Sequence, residues 1–301
     1  MQAAAHEARQ GHGKLALQLR ALVDETRARR GGGARPREPV PLAQPRGDLA
    51  NLIAARYSET RLSSMVLSPA LEQRLRRVLL EQRQQTRLRS HGLHPRRKLL
   101  LLGPPGAGKT MTAAALAGEL HMPLFTIVLD GLITKFMGET AAKLRLVFDA
   151  IGETRGVYFF DEFDAIGAKR TERNDVGEIR RVLNSFLQFL EADDSDSLII
   201  AATNHPELLD TALYRRFDDV IEYSLPDSEI AQRILENRLS TFKTKGVDWS
   251  AAVVAGTGLS QAEFALAAEE AAKRALLADR ETVTGEDLSS AIAERQAALR
   301  R

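Results

Sequence analysis

The sequence predicts an α/β fold in which a central parallel sheet of five strands carries helices on both faces. A helical C-terminal domain follows the sheet, and a small helical N-terminal segment precedes it. Short apolar runs alternate with helical segments between residues 98 and 223, which is typical of a parallel sheet covered on both faces. After Pro226 the residues are rich in Ala, Leu and Glu at helical spacing, which predicts the helical domain.

The predicted elements follow in order along the chain. A long helix is expected over residues 69–90 because Ser68 suits the N-cap and Pro69 suits the first helical position. Strands are expected at residues 98–102, 124–129, 157–160, 198–202 and 220–223. The C-terminal helices are expected at residues 227–242, 260–279 and 285–299.

These elements divide the chain into four predicted parts. They are a helical segment over residues 1–30, a linker with a short helix over 31–60, an α/β nucleotide-binding domain over 61–226 and a helical lid over 227–301. The linker prediction rests on glycine and proline without periodicity between residues 31 and 48. The short helix is placed at residues 49–57.

The cysteine content, the length of the apolar runs and the net charge narrow the possible classes of protein. The 301-residue chain has no cysteine, so disulfides and cysteine-based zinc sites are excluded. No apolar run approaches the ~20 residues that a membrane-spanning helix needs, and the N-terminus lacks the apolar core of a signal peptide. We therefore expect no membrane anchor in this chain and a cytoplasmic location. A net charge of +2 does not by itself demand a nucleic-acid partner.

A glycine-rich loop follows the first strand of the parallel sheet. Residues 103–110 read GPPGAGKT, a complete G-x-x-x-x-G-K-[ST] sequence between a predicted strand and a predicted helix, which disfavours a chance turn. The glycines let backbone N–H groups converge on phosphate oxygens, and the helix N-terminus adds positive charge. We expect Lys109 to reach the β- and γ-phosphates of ATP and Thr110 to bind Mg²⁺. The predicted nucleotide-binding residues are Gly103, Pro104, Pro105, Gly106, Ala107, Gly108, Lys109, Thr110 and Met111.

Two acidic residues end the third of these strands. The segment VYFFDEFDAIG, residues 157–167, places Asp161 and Glu162 after four apolar or aromatic residues. An acid at the carboxyl end of a central strand lies beside the phosphate loop, so Asp161 is expected to hold the water shell of Mg²⁺. Glu162 is expected to orient and deprotonate the attacking water. The alternative is a solvated acidic turn, which the phosphate loop upstream disfavours.

These motifs, in this order, resemble the AAA ATPases, in particular the group that includes katanin, spastin and the membrane-anchored AAA proteases. The resemblance covers residues 61–295. KFMGET, residues 135–140, looks like the pore loop of the family, with Phe136, Met137 and Gly138 at the turn that grips the substrate. The resemblance implies a P-loop NTPase fold, ATP hydrolysis and a hexameric ring whose pore is lined by Phe136.

Two further segments are similar to the sensor and the arginine finger of the family. LIIAATNHPELLDTAL, residues 198–213, would place Asn204 against the γ-phosphate or the attacking water. ALYRRFDDVIEYSLPD, residues 212–227, would direct Arg215 and Arg216 at the nucleotide of the neighbouring subunit, and which of the two is the finger stays open. The competing roles are a helix N-cap for Asn204, a solvated surface pair for the arginines and core packing for Phe136.

The resemblance also bears on the second sensor, a second pore loop, the adenine pocket and a protease motif. TGLSQAEF, residues 257–264, occupies the second-sensor region without an arginine, in agreement with this AAA subgroup, where small residues leave room for ribose and base. A second pore loop is expected at residues 170–174, and Val66 and Leu67 are expected in the adenine pocket. No HExxH zinc motif occurs, so any proteolysis would need a separately encoded protease as partner.

The residues and the resemblance together predict a Mg²⁺-dependent ATPase that remodels, unfolds or threads a protein substrate through the pore of a homo-oligomeric ring. The alternative is an ATP-driven nucleic-acid motor or loader, for which arginines near the long helix would supply a phosphate footprint. They are Arg74, Arg76, Arg77, Arg83, Arg87, Arg89, Arg96 and Arg97. Aromatic residues that could stack on bases are nearly absent there, which disfavours this alternative. A scaffold that ATP merely switches is disfavoured by the presence of Glu162.

Overall fold

The structure is a computed structural model that describes residues 45, 47–132, 139–164, 176–244 and 246–299. Several sequence predictions lie outside these ranges: the helical segment at 1–30, the linker as far as residue 44, the second pore loop at 170–174, and Phe136, Met137 and Gly138. Among the helices in the described ranges, none combines the length and the apolar character needed to cross a membrane.

A six-stranded sheet forms the centre of the fold. Its strands are β1 (Ile53–Tyr57), β2 (Lys98–Leu102), β3 (Pro123–Ile127), β4 (Val157–Phe160), β5 (Leu198–Thr203) and β6 (Asp219–Glu222), in the spatial order β1-β3-β4-β5-β2-β6. Strands β2 to β6 are mutually parallel and are the five predicted strands, which confirms the α/β class. Strand β1 adds an antiparallel edge, with Ile53 opposite Ile127.

Strand β1 corrects the short helix predicted at residues 49–57. A 3₁₀-helix covers Gly47–Asn51, and the sequence IAARY then forms the strand. The alanines and the arginine of this segment are good helix formers, so its local propensity favours a helix. Pairing with β3 and the burial of Ile53 outweigh that propensity, because strand formation depends on cross-strand neighbours.

Eleven α-helices occur in the described ranges. They are α1 (Pro69–Arg83), α2 (Gln85–Arg89), α3 (Lys109–Leu120), α4 (Leu129–Leu132), α5 (Glu139–Glu153), α6 (Val176–Ala192), α7 (Thr211–Tyr214), α8 (Ser228–Arg238), α9 (Trp249–Ala255), α10 (Gln261–Leu277) and α11 (Gly285–Leu299). Ser68 caps α1 as predicted, since its hydroxyl accepts the N–H of Leu71. The helix predicted over residues 69–90 is interrupted at Gln84, where φ is −104° and ψ is 18°. Helix α9 was not predicted.

The side chains of the sheet alternate between two helical layers. Leu100 and Phe160 point into a core shared with α5 and α6, whereas Leu101 and Phe159 point into a core shared with α1 and α3. Because both faces of the central strands β2, β4 and β5 are buried, these strands form nearly continuous apolar runs. Helices α8–α11, called the lid below, enclose a third core that also takes in Val66.

Strand order brings three chain segments to one edge of the sheet. Strand β5 lies between β2 and β4, so the segments that follow these three strands are neighbours at their carboxyl ends. They are the glycine-rich loop, Asn204 and the Asp161–Glu162 pair. In parallel sheets, ligands bind at this edge.

Candidate nucleotide-binding site

A cavity of about 440 Å³ opens between the carboxyl edge of the sheet and the lid. Its core side includes Lys109, Asp161, Glu162 and Asn204, all of which were predicted site residues. The lid contributes Ile234, Asn237, Arg238, Gln261, Ala262 and Ala265. A cavity of this size, with apolar walls and a few convergent polar groups, is suited to a small organic ligand.

The glycine-rich loop forms the floor of the cavity. The residues of this loop and of the start of α3 that line the cavity are Pro105, Gly106, Gly108, Lys109, Thr110 and Met111. Gly106 has a φ of +72°, and a Cβ at this position would lie 2.4 Å from Ser260 Oγ, so a larger residue would strain the loop and strike the lid. The backbone N–H of Ala262 also donates to Gly106 O at 3.0 Å, which joins the lid directly to the loop.

Three predicted nucleotide-binding residues do not line the cavity. The side chain of Ala107 is 1% exposed and packs in the core between the sheet and helices α1 and α3. The carbonyl oxygens of Gly103 and Pro104 instead accept hydrogen bonds from Lys109 Nζ at 2.7 and 2.8 Å. These two residues therefore orient the lysine.

Lys109 is buried at the first position of α3, with 6% of its surface exposed. Its third hydrogen-bond partner is Asn204 Oδ1, at 2.7 Å from Nζ. Burial lowers the pKa of Lys109, and the nearby carboxylates of Asp161 and Asp164 oppose that shift. An ammonium held by neutral oxygens at the floor of a cavity is placed to meet an anion, in keeping with the phosphate-binding role predicted for it.

The two predicted acids lie at the mouth of the loop. Thr110 Oγ1 donates to Asp161 Oδ2 at 3.0 Å, which brings together the two residues predicted to hold Mg²⁺. Glu162 lines the cavity, is solvent-exposed and has a φ of +51°, which is uncommon for a residue other than glycine. Its backbone N–H donates to Asp161 Oδ1 at 3.0 Å. Asp161 therefore joins the loop to the segment that carries Glu162.

The predicted finger arginines lie outside this cavity and differ in their contacts. Arg216 Nε lies 2.5 Å from Glu191 Oε1 of the same chain. Arg215 is exposed and has no ion pair or side-chain hydrogen bond to any residue in the described ranges.

The two residues predicted for the adenine pocket occupy different places in the structure. Val66 lines the cavity, whereas Leu67 is 3% exposed and packs in the core beneath it. Val66 belongs to the core of the lid and Leu67 to the core of the sheet, a division that the sequence does not reveal. Sequence reasoning did not single out Met65 or, in the lid, Gln261, although both line the cavity beside Gly108.

A phosphate loop at the carboxyl edge of a parallel sheet, a buried lysine at the start of the following helix and two acids beside them define a P-loop nucleoside triphosphatase. Residues 99–225 match the model of one family of this class, the ATPase family associated with various cellular activities (AAA).

Three similar proteins align with a longer part of the chain than residues 99–225. The chain is 35% identical over 255 residues to an uncharacterized AAA family ATPase of Sinorhizobium fredii, covering 84% of this chain and 76% of that protein. It is 40% identical over 209 residues to the proteasome-activating nucleotidase of Pyrococcus horikoshii, covering 67% and 52%. It is 38% identical over 203 residues to the ATP-dependent zinc metalloprotease FtsH of Lancefieldella parvula, covering 65% and 32%.

The chain therefore belongs to the AAA family of ATPases, and ATP binding and hydrolysis follow from that membership. The predicted resemblance is confirmed. The chain spans about three quarters of the length of the Sinorhizobium relative and about half of that of the nucleotidase.

Proposed function

We propose that this ATPase works as a homo-oligomeric ring, most simply a hexamer, that remodels, unfolds or threads a protein substrate. Each active site would be completed by an arginine from the neighbouring subunit. The contrast between Arg215 and Arg216 carries this proposal. Neither lines the cavity of its own chain, and Arg216 is already paired with Glu191. Arg215, exposed and unpaired within the described residues, is the side chain available to reach another chain's nucleotide.

In this proposal each residue of the site has one role in ATP hydrolysis. Glu162 orients the attacking water and takes its proton while the bond between the γ-phosphorus and the bridging oxygen breaks, releasing ADP and phosphate. Lys109 exchanges its contacts with loop carbonyls for phosphate oxygens, and Asn204, which touches its ammonium, positions the γ-phosphate or the water. The neighbour's Arg215 stabilises charge on the transferring phosphoryl group.

Thr110 and Asp161 fit a magnesium ion. A hydroxyl and a carboxylate oxygen 3.0 Å apart at the mouth of a phosphate loop are the oxygen ligands that Mg²⁺ accepts beside phosphates and water. When bound, the ion would neutralise charge on the β- and γ-phosphates.

Two observations support a protein as the substrate. The names of two relatives, a proteasome-activating nucleotidase and an ATP-dependent zinc metalloprotease, both refer to protein degradation. The arginines that a nucleic-acid motor would use are largely neutralised within the chain. Six of the eight pair with carboxylates: Arg74, Arg76, Arg83, Arg89, Arg96 and Arg97. A separately encoded protease is a candidate partner, and Phe136, Met137 and Gly138 are the proposed gripping loop.

The first experiment separates binding from hydrolysis. Glu162→Gln keeps the size of the side chain and removes the base, so ATP turnover should fall by roughly 10²-fold or more while the Kd of a fluorescent ATP analogue changes little. Glu153→Gln, at the exposed end of α5, is the matched control and should turn over ATP normally. Unchanged turnover in Glu162→Gln would refute the assigned role.

The second experiment tests the ring. Arg215→Ala should lower turnover by about 10³-fold, and Arg216→Ala should lower it less because that side chain is held by Glu191. Mixing Arg215→Ala chains with Glu162→Gln chains should restore turnover, since some interfaces then combine an intact Glu162 with a neighbour's intact Arg215. If no mixing ratio exceeds the sum of the two separate activities, the arginine does not act between subunits.

A further inference from the structure

The loop that carries Glu162 and the strand that leads to Asn204 are joined by two hydrogen bonds. Phe163 N–H donates to Ala202 O at 2.8 Å, and Thr203 Oγ1 donates to Asp164 Oδ1 at 2.7 Å. Thr203 is fully buried, and its hydroxyl oxygen also accepts the backbone N–H of His205 at 2.9 Å. The hydroxyl of Thr203 is therefore a junction between the end of β4 and the end of β5.

This junction is adjacent in the chain to Glu162 and to Asn204. Glu162 is next to Phe163, and it keeps a left-handed backbone conformation that a non-glycine residue holds only where its surroundings impose it. Asn204 lies between Thr203 and His205, which the same hydroxyl connects, and its Oδ1 meets Lys109 Nζ at 2.7 Å. A shift of either segment would change the distance between Glu162 and the phosphate-binding lysine.

We propose that Thr203 and Asp164 are positioning residues for ATP hydrolysis: their hydrogen bond sets the spacing between the water-activating Glu162 and Asn204. Neither residue is required to touch the nucleotide. Asp164 acts here as a hydrogen-bond acceptor, and Thr203 acts as a donor and acceptor at once. The inference rests on the roles proposed above for Glu162 and Asn204.

The test compares, at each position, a variant that loses the hydrogen-bonding group with one that keeps a group able to make the same hydrogen bond. Thr203→Val keeps the shape of the side chain and loses the hydroxyl, whereas Thr203→Ser keeps the hydroxyl. Asp164→Ala loses the acceptor, whereas Asp164→Asn keeps an acceptor oxygen and loses the charge. Steady-state ATPase assays give kcat and KM for each, a fluorescent ATP analogue gives Kd, and thermal melting reports folding.

Thr203→Val and Asp164→Ala should each lower kcat by about 10- to 100-fold, because small displacements of a reacting group cost this much. Their KM and Kd for ATP should stay within about threefold of wild type, since the phosphate loop is intact. Thr203→Ser and Asp164→Asn should recover most of the lost kcat. A role in stability alone would lower the melting temperature without this separation of kcat from KM.

Several outcomes would overturn the inference. Wild-type kcat in Thr203→Val means that the junction only supports the fold. Loss of kcat in Asp164→Asn as severe as in Asp164→Ala means that the charge of Asp164, not its acceptor, is what matters. If Thr203→Val does not fold, the Asp164 pair decides. A fully active Glu162→Gln refutes the proposed function and this inference with it, whereas an inactive Glu162→Gln beside a fully active Thr203→Val refutes the inference alone.

Discussion

Replacement of Gly118 in helix α3 is expected to destabilise the fold for a reason that lies outside its own helix. A Cβ at this position would lie 2.1 Å from the carbonyl oxygen of Thr60 and 3.0 Å from that of Ser58. Arg61 Nη1 donates to Gly118 O at 2.6 Å and holds the two segments together. The helix that begins at Lys109 is thus pressed against the chain that leaves the edge strand β1.

The cost of Gly118→Ala follows from these contacts. Alanine gains about 1 kcal/mol of helix propensity. Against this, both obstructing atoms belong to the backbone, so the segments must separate by about 1 Å, and such overpacking costs about 1–3 kcal/mol. The Arg61 hydrogen bond, worth about 0.5–1.5 kcal/mol, weakens as well. We expect a net loss of about 1–3 kcal/mol in the free energy of unfolding, or a melting temperature lower by about 5 °C.

Gly152→Ala is the matched control. Gly152 also lies near the C-terminal end of a helix, α5, but it is exposed and a Cβ there would meet nothing within 4 Å. This variant should be stabilised by about 0.5–1 kcal/mol. Thermal and urea unfolding followed by circular dichroism measure both variants. If Gly118→Ala melts at or above the wild-type temperature, the close approach of Thr60 to α3 does not exist in solution.

Three further perturbations have defined outcomes. Phe136→Ala should abolish stimulation of the ATPase by an unfolded polypeptide; stimulation by DNA or RNA that does not depend on Phe136 would favour a nucleic-acid motor instead. Tyr223→Phe removes the buried hydrogen bond to Thr112 Oγ1, which is 2.7 Å long, and should lower the free energy of unfolding by about 1 kcal/mol in urea unfolding. The affinity of this variant for ATP, measured alongside, shows whether the phosphate loop is affected. The guanidinium of Arg280 holds the pKa of Asp287 well below its usual range, so this carboxylate stabilises the fold above its unfolded pKa of about 3.9. Asp287→Asn should therefore melt lower than wild type at pH 7, and the difference should shrink as the pH falls below about 4 toward the folded value.

The sequence by itself was enough to predict the phosphate loop, the ATPase family and the class of the fold. GPPGAGKT is contiguous, and its function depends on backbone geometry that glycine, lysine and threonine at those spacings impose locally. The buried strands were predictable for a related reason, since strands covered on both faces form nearly continuous apolar runs, such as VYFF in β4. The N-cap at Ser68 is likewise an interaction between residues three apart.

Only the tertiary structure decided how these segments meet. The insertion of β5 between β2 and β4 places Asn204 against Lys109, and no local signal specifies strand order. The edge strand β1 formed against its helix propensity because β3 offered pairing and burial. The pairing of Arg216 with Glu191, which distinguishes it from Arg215, joins residues on separate elements, as does the contact of Thr203 with Asp164. Such contacts depend on packing between segments distant in the chain, whereas propensity and periodicity report only on neighbours.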